Sequence, residues 1–125
     1  MHRTLEDPPA LTREVVAEAL ESALSGRSAG DDAADALVGV ALHGDDREFV
    51  EHCCVQVGTR AAPGSPLLGL AVLCLSHTAR RFGRLSDETL DLARSLSRRA
   101  AADPADVDER ALDSYDDIRT FLHLW

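Results

Sequence analysis

The stretch of residues 65–83, SPLLGLAVLCLSHTARRFG, decides the fold because it predicts a long helix that is apolar around most of its circumference. Ser65 is a favourable N-cap, and Pro66 suits the first helical position, where the missing N–H of proline is not needed. Between Leu67 and Leu75 only Gly69 is not plainly apolar. Such a helix must be covered on several sides, so we predict that it is the central helix of the fold.

Five further segments place apolar residues at three- and four-residue spacings, and Ala and Leu outnumber β-branched residues, so we predict an all-α fold of six helices. The residues that favour helix ends set the other five boundaries. The first predicted helix spans residues 11–25 and is capped by Thr12, and the second is capped by Asp31 or Asp32 and ends at Gly44. The third is capped by Asp45 in a capping box with Glu48, and the fifth is capped by Ser86. The sixth starts after Asp103-Pro104 and continues to Trp125, which is expected in the core.

Self-comparison indicates a repeat of about 40 residues with two helices in each unit. Short turns predict three antiparallel hairpins, and a period of this length is typical of a HEAT-like α-solenoid stack. Chance agreement between amphipathic helices is the alternative. We expect one helical-repeat domain over residues 1–125, with residues 1–10 irregular. The aligned pairs are Ala71/Ala111, Val72/Leu112, Leu75/Tyr115, Phe82/Leu122, Val50/Leu90 and Cys53/Ala93.

The composition restricts the compartment and the partner. The chain has 125 residues, 45% of them hydrophobic, and a formal net charge of −9. That charge argues against binding to nucleic acid or to anionic lipid, both of which require a basic surface. The first ten residues lack the apolar core of a secretory signal, and three cysteines do not make a secreted disulfide framework. We therefore expect a cytoplasmic protein whose partner is a basic protein.

Two segments carry a resemblance to a known family. CLSHTARRFGRL (Cys74–Leu85) and ALDSYDDIRTFL (Ala111–Leu122) resemble the C-terminal part of small bacterial HEAT-repeat-like proteins of the polymorphic-toxin immunity type. The resemblance covers roughly residues 35 to 123. It implies a cytoplasmic protein that neutralises a cognate toxin, but it implies no particular binding residue in this chain.

The residues that could carry chemistry are few. His52, Cys53, Cys54, Cys74 and His77 include zinc-ligating types, but no CxxC pair is present, and adjacent residues on a helix diverge by about 100°. A cysteine nucleophile paired with His77 is a further alternative. Buried cysteine also packs well as a small apolar residue, which is the interpretation we favour. We thus predict no catalytic residue, metal or cofactor.

The charge layout is more informative. Residues 52–86 hold no acid and four arginines, whereas residues 31–51 and 102–125 each hold seven acids. On the predicted sixth helix five carboxylates fall within one arc, where their mutual repulsion would be relieved by a basic partner. Solvation, with some pairing to Arg80, Arg81 or Arg84, is the alternative. The candidate partner-binding residues are Asp106, Glu109, Asp113, Asp116, Asp117, Asp45 and Asp46.

These observations predict a non-catalytic protein-binding module. Its expected role is that of an immunity protein that neutralises a basic toxin domain by occlusion. A HEAT-like intracellular adaptor or regulatory scaffold is the alternative, and a toxin gene immediately upstream would distinguish the two.

Overall fold

The computed structural model describes residues 12–124, and in this range the chain forms six α-helices and no strand, which confirms the predicted all-α class. The predictions for residues 1–11 and for Trp125 lie outside the described residues. None of the six helices is both long and apolar enough to cross a membrane. The helices are α1 (Arg13–Leu24), α2 (Asp31–His43), α3 (Arg47–Arg60), α4 (Pro66–Phe82), α5 (Asp87–Ala102) and α6 (Arg110–Leu122).

The helices pack as three consecutive pairs. Helix α1 contacts α2, α3 contacts α4, and α5 contacts α6. Contacts between pairs place α1, α3 and α5 in one layer and α2, α4 and α6 in a second layer. Within residues 12–124 the first pair makes no close backbone contact with the third, so the middle pair joins the two ends of the molecule.

Helix α4 is the centre of the fold, as its sequence predicts. It contacts α2, α3, α5 and α6, and its Leu68, Val72 and Leu75 are completely buried. The Ser65 side chain accepts a hydrogen bond from a backbone N–H in the first turn, and Gly83 ends the helix at a φ of 73°. The residues that decide the fold therefore lie at the junction of both layers.

Two contacts between helices of the same layer join residues about 40 positions apart. Arg81 donates hydrogen bonds to the carbonyl oxygens of Ala41 at 2.7 Å and Gly44 at 2.8 Å, and Ala41 lies 40 residues earlier in the chain. Arg60 binds both carboxylate oxygens of Glu21, 39 residues earlier, at 2.7 and 2.9 Å. Other contacts within a layer join residues 35 positions apart, as Glu51 and Ser86 do, so the 40-residue repeat stays a prediction.

A buried carboxylate joins α3 to α5, and the sequence patterns did not predict it. Glu51 is only 4% exposed, and its Oε1 accepts hydrogen bonds from the backbone N–H of Ser86 at 3.0 Å and from its hydroxyl at 2.8 Å. Arg47, one turn earlier on α3, donates to the other carboxylate oxygen. Ser86 is itself the N-cap of α5, as predicted, so Glu51 fixes the start of a helix in the next pair.

Two predicted caps are wrong. Asp46, not Asp45, caps α3, because its side chain accepts from the N–H groups in the first turn and also binds Arg13 of α1 at 2.5 Å. The capping box with Glu48 is therefore absent from α3. Helix α2 begins after Gly30, whose φ of 108° favours glycine, so Asp31 and Asp32 both fall inside the first turn. Thr12 caps α1 as predicted.

The predicted bounds of α6 are also wrong, since the helix begins at Arg110, not directly after Asp103-Pro104, and ends at Leu122, before Trp125. The intervening aspartates bond to nearby backbone instead. Asp103 accepts from the N–H of Ala105 at 3.0 Å, and Asp108 accepts from the N–H of Arg110 at 2.9 Å. Such local side-chain bonds compete with helical hydrogen bonds and hold the segment as a turn.

Candidate protein-binding surface

Asp106 is a structural residue, which corrects its predicted place on the carboxylate face of α6. It lies in the turn before α6 and accepts hydrogen bonds from Arg99 at 2.8 and 2.7 Å, one on each carboxylate oxygen. Its backbone carbonyl also accepts from the N–H of Gly64 at 2.7 Å. The side-chain hydrogen bond from Arg99 lowers the pKa of Asp106 below its ordinary value. The negative charge of this carboxylate is therefore already compensated by Arg99 within the fold.

Asp46 is likewise used inside the molecule, where it caps α3 and binds Arg13. The hydrogen bond from Arg13, followed by that from the backbone of Phe49, lowers the pKa of Asp46. The neighbouring Asp45 is exposed and bonds to none of the residues described. Both aspartates precede α3, which makes no contact with α6 in the described chain. The structure therefore does not bring this pair together with the carboxylates of α6.

The predicted five-carboxylate face is reduced to three residues on α6 itself. Asp113, Asp116 and Asp117 are all exposed. Asp116 lies 3.7 Å from Arg119, whereas the side chains of Asp113 and Asp117 make neither a hydrogen bond nor an ion pair with any residue in 12–124. Glu109 occupies the N-cap position of α6, and its side chain makes no capping bond.

The alternative prediction is that the α6 carboxylates pair with Arg80, Arg81 or Arg84, and the structure shows no such pairs among the residues that it describes. Arg81 is bound to backbone carbonyls of the first pair. Arg80 stacks on the ring of Phe121, with its guanidinium carbon 5.4 Å from the ring centroid. Arg84 is exposed and forms no ion pair with a residue of the described chain. In residues 12–124 no ion pair links any of these arginines to α6.

A second feature, which the sequence patterns missed, is the solvent-facing side of the α2, α4 and α6 layer, here called the open face. Its centre is a row on α4 formed by exposed Pro66 and partly exposed Leu70, Leu73 and His77. Because α4 is apolar around most of its circumference, its pattern could not show which side lacks a neighbour. The spacing of three or four residues places these four side chains in line along the helix.

The open face includes a groove of about 450 Å³ at the beginning of the three helices. Helix α2 contributes Val38 to its apolar lining, with Asp31 and Asp35 also on the wall, and α4 contributes Leu70. Arg110 of α6 forms part of the opposite side and lies 3.7 Å from Asp108. The groove thus combines an apolar floor with carboxylates that make no ion pair in the described range.

The cysteines are buried, as predicted for packing residues. Burial raises the pKa of Cys53 to about 11 and that of Cys74 to about 12, and it raises the pKa of Cys54 well above its ordinary value. Thiols with pKa values this high are protonated at neutral pH, and a protonated thiol is a poor nucleophile. Within residues 12–124 no three His, Cys, Asp or Glu side chains are grouped so as to hold a metal ion.

Comparisons with known proteins give no functional assignment. No protein-family model matches the chain, and neither a curated protein nor a solved structure gives a significant match.

Proposed function

We propose that the chain is a non-catalytic protein-binding module that occludes a basic partner, and that this partner is a toxin domain neutralised in the cytoplasm. Two paired layers of helices, stacked with an offset near 40 residues, support a HEAT-like arrangement. Stacks of this kind present long continuous surfaces, and such surfaces suit protein recognition.

The observation that carries the proposal is the unpaired state of Asp113 and Asp117. Both are exposed and lack a cation within residues 12–124, while Asp106 and Asp46 of the same predicted set are bound by arginines. Like charges one turn apart on a helix repel each other, and a basic partner would relieve that repulsion. Unpaired charges also steer an oppositely charged protein towards the surface and raise its association rate.

The identification of the partner as a toxin depends on the sequence resemblance. A toxin domain that is basic, as many nucleases are, would meet a surface of opposite charge. Binding over its substrate site would neutralise it without a chemical step. A partner from the cell's own machinery would instead indicate the adaptor role.

The first experiment is co-expression of the chain with the product of the gene immediately upstream, tested for toxicity and scored by cell survival and by isolation of a stable complex. Survival with a 1:1 complex would support the proposal. If the chain neither rescues growth nor binds the toxin domain, the immunity role is wrong.

The second experiment measures association kinetics with the double variant Asp113→Lys plus Asp117→Lys. We expect the association rate to fall by roughly tenfold at low ionic strength, because two steering charges are reversed. The matched control is Glu18→Lys plus Asp91→Lys, which changes the net charge equally. Glu18 and Asp91 are 70% and 74% exposed and lie on α1 and α5. Equal rates for both variants would exclude α6 as the binding surface.

A further inference from the structure

The three helices of the open face run in the same direction, so their side chains form matching rows. At one end, Gly30 before α2 lies beside Leu67 of α4, and Gly69 of α4 lies beside Arg110 of α6. At the other end, the guanidinium of Arg81 reaches the carbonyl of Ala41. The open face is therefore a strip with α4 along its middle and α2 and α6 along its sides.

The middle of this strip is apolar. Leu70 and Leu73 are only partly covered, and Val38 of α2 lines the groove together with Leu70. On α2 the apolar surface continues to Leu42, which is 43% exposed. From Pro66 to His77 the row on α4 is about 16 Å long, since a helix rises about 1.5 Å per residue. That length matches about three turns of a helix lying along α4.

Both sides of the strip are acidic. Asp31 and Asp35 are one turn apart on α2, and Asp113 and Asp117 are one turn apart on α6, beginning one turn after Arg110. All four carboxylates are exposed, and none bonds to a residue in the described range. Adjacent packed helices lie about 8–10 Å apart, so each acidic side is within reach of long side chains on a helix seated above α4.

We infer that the open face binds a basic amphipathic helix of the partner protein. The helix lies along α4, with its apolar side chains on Leu70, Leu73 and Val38. Lysine or arginine on its two flanks reaches the carboxylates of α2 and α6. This inference rests on the proposed function, and it adds the kind of structure that the partner presents. Proteins commonly recognise an amphipathic helix in this way, with its apolar side in an apolar groove and its charged flanks at the groove edges.

The charge pattern excludes other occupants of the same strip. A nucleic acid would place phosphates against four unpaired carboxylates, and an acidic helix would meet the same repulsion. The cations of this face lie near its ends, where Arg110 is close to Asp108 and Arg80 is stacked on Phe121. A basic helix therefore meets carboxylates along its length.

The test uses a synthetic 14-residue helical peptide with leucine on one side and lysine on both flanks. Its control is a peptide of the same composition in which leucine and lysine are mixed around the helix. Binding to the chain is followed by the methyl NMR signals of Val38, Leu70 and Leu73 at about 150 mM salt, where weak long-range attraction is screened. We expect the amphipathic peptide to shift these signals and to bind roughly tenfold more tightly than the mixed peptide.

Two variants locate the binding site. Asp35→Lys plus Asp117→Lys removes one carboxylate from each side of the strip, and we expect it to weaken peptide binding roughly tenfold. Glu18→Lys plus Asp91→Lys should weaken it less than about twofold, because these residues lie outside the strip. Equal loss in both variants, or signal shifts centred on α1 or α5, would overturn the inference.

The inference and the proposed function fail in different ways. If the cognate toxin is neutralised but the Asp35→Lys plus Asp117→Lys variant retains full affinity for it, the open face is not the site, and the immunity role stands. If no toxin is neutralised while the peptide binds as expected, the binding surface stands, and the assigned partner is wrong.

Discussion

The two layers of helices use their charged residues in different ways. In the layer of α1, α3 and α5, ion pairs and hydrogen bonds connect neighbouring helices, as in Arg60 with Glu21 and Glu51 with Ser86. In the layer of α2, α4 and α6, apolar residues form most of the contacts, and the exposed aspartates Asp35 and Asp117 make no bond within residues 12–124. In these examples the carboxylates of the first layer stabilise the fold, whereas the two aspartates of the second layer do not. The charge that joins helices in the second layer is that of Arg81, which binds backbone carbonyl oxygens of Ala41 and Gly44.

The largest expected change in the free energy of unfolding comes from substitution of Glu51, the buried carboxylate of the first layer. Glu51→Ala removes the acceptor of two hydrogen bonds from Ser86 and leaves the guanidinium of Arg47 unpaired. We expect a loss of about 2 kcal/mol in the free energy of unfolding, because these donors then lose a charged acceptor in a partly buried site. Urea denaturation measures this loss. The adjacent exposed residue provides the control, since His52→Ala should change the free energy of unfolding by less than about 0.5 kcal/mol.

The pH dependence of stability tests the same group. Burial raises the pKa of Glu51, but hydrogen bonds from Thr89, Ser86 and Arg47 outweigh burial and hold the pKa below its ordinary value. The ionised carboxylate therefore stabilises the fold above the unfolded pKa of about 4.3, and this stabilisation is lost as the pH falls through the lower folded pKa. The difference in urea midpoint between the wild type and Glu51→Gln should shrink below about pH 4. A constant difference would show that ionisation is not involved.

A smaller effect is expected where an arginine joins α4 to α2. Arg81→Ala removes two hydrogen bonds to the carbonyl oxygens of Ala41 and Gly44. We expect the free energy of unfolding to fall by about 1.5 kcal/mol, measured by urea denaturation. Arg84→Ala is the matched control because Arg84 is exposed and unpaired in the described part of the chain. Equal effects of the two substitutions would mean that the carbonyl contacts do not contribute.

The smallest effect is expected for the carboxylates that the second layer leaves unpaired. Asp113→Asn plus Asp117→Asn should leave the free energy of unfolding within about 0.5 kcal/mol of the wild type or raise it slightly, since repulsion on α6 decreases. Thermal unfolding measures this change. Asp106→Asn, which weakens a paired carboxylate, should lower the melting temperature. Destabilisation by the double variant would contradict the difference between the layers.

Local sequence signals predicted the elements of this fold better than their exact beginnings. The side chains of Ser65 and Ser86 accept hydrogen bonds from N–H groups in the first turn of their own helices, and Gly83 adopts the positive φ that ends α4. These effects act within a single turn, so the local sequence reveals them. The cap of α3 is different, because Asp45 and Asp46 are adjacent residues of the same type. Asp46 caps the helix and also binds Arg13, which lies 33 residues away on α1. The pattern of adjacent aspartates does not by itself distinguish the two.

The candidate surface was predicted only in part for the same reason. Helical periodicity placed Asp113 and Asp117 on one side of α6, and the structure leaves them exposed. The pattern also included Asp106, because it did not anticipate that Asp103 and Asp108 would bond to nearby backbone and hold a turn. The open face depends on which side of α4 lacks a neighbour, and packing determines this.

The hydrogen bonds that Ser86 donates to Glu51 also make the third pair dependent on the middle pair. At the start of helix α5 the N–H of Thr89 donates to the Ser86 side chain, and Ser86 is in turn held by a residue of the middle pair. The capped start of α5 is thus tied to a contact with α3. Conversely, a chain shortened to end after Gly83 would leave the Glu51 carboxylate without these donors. The pairs are therefore not interchangeable modules, and removal of the last pair should weaken the one before it.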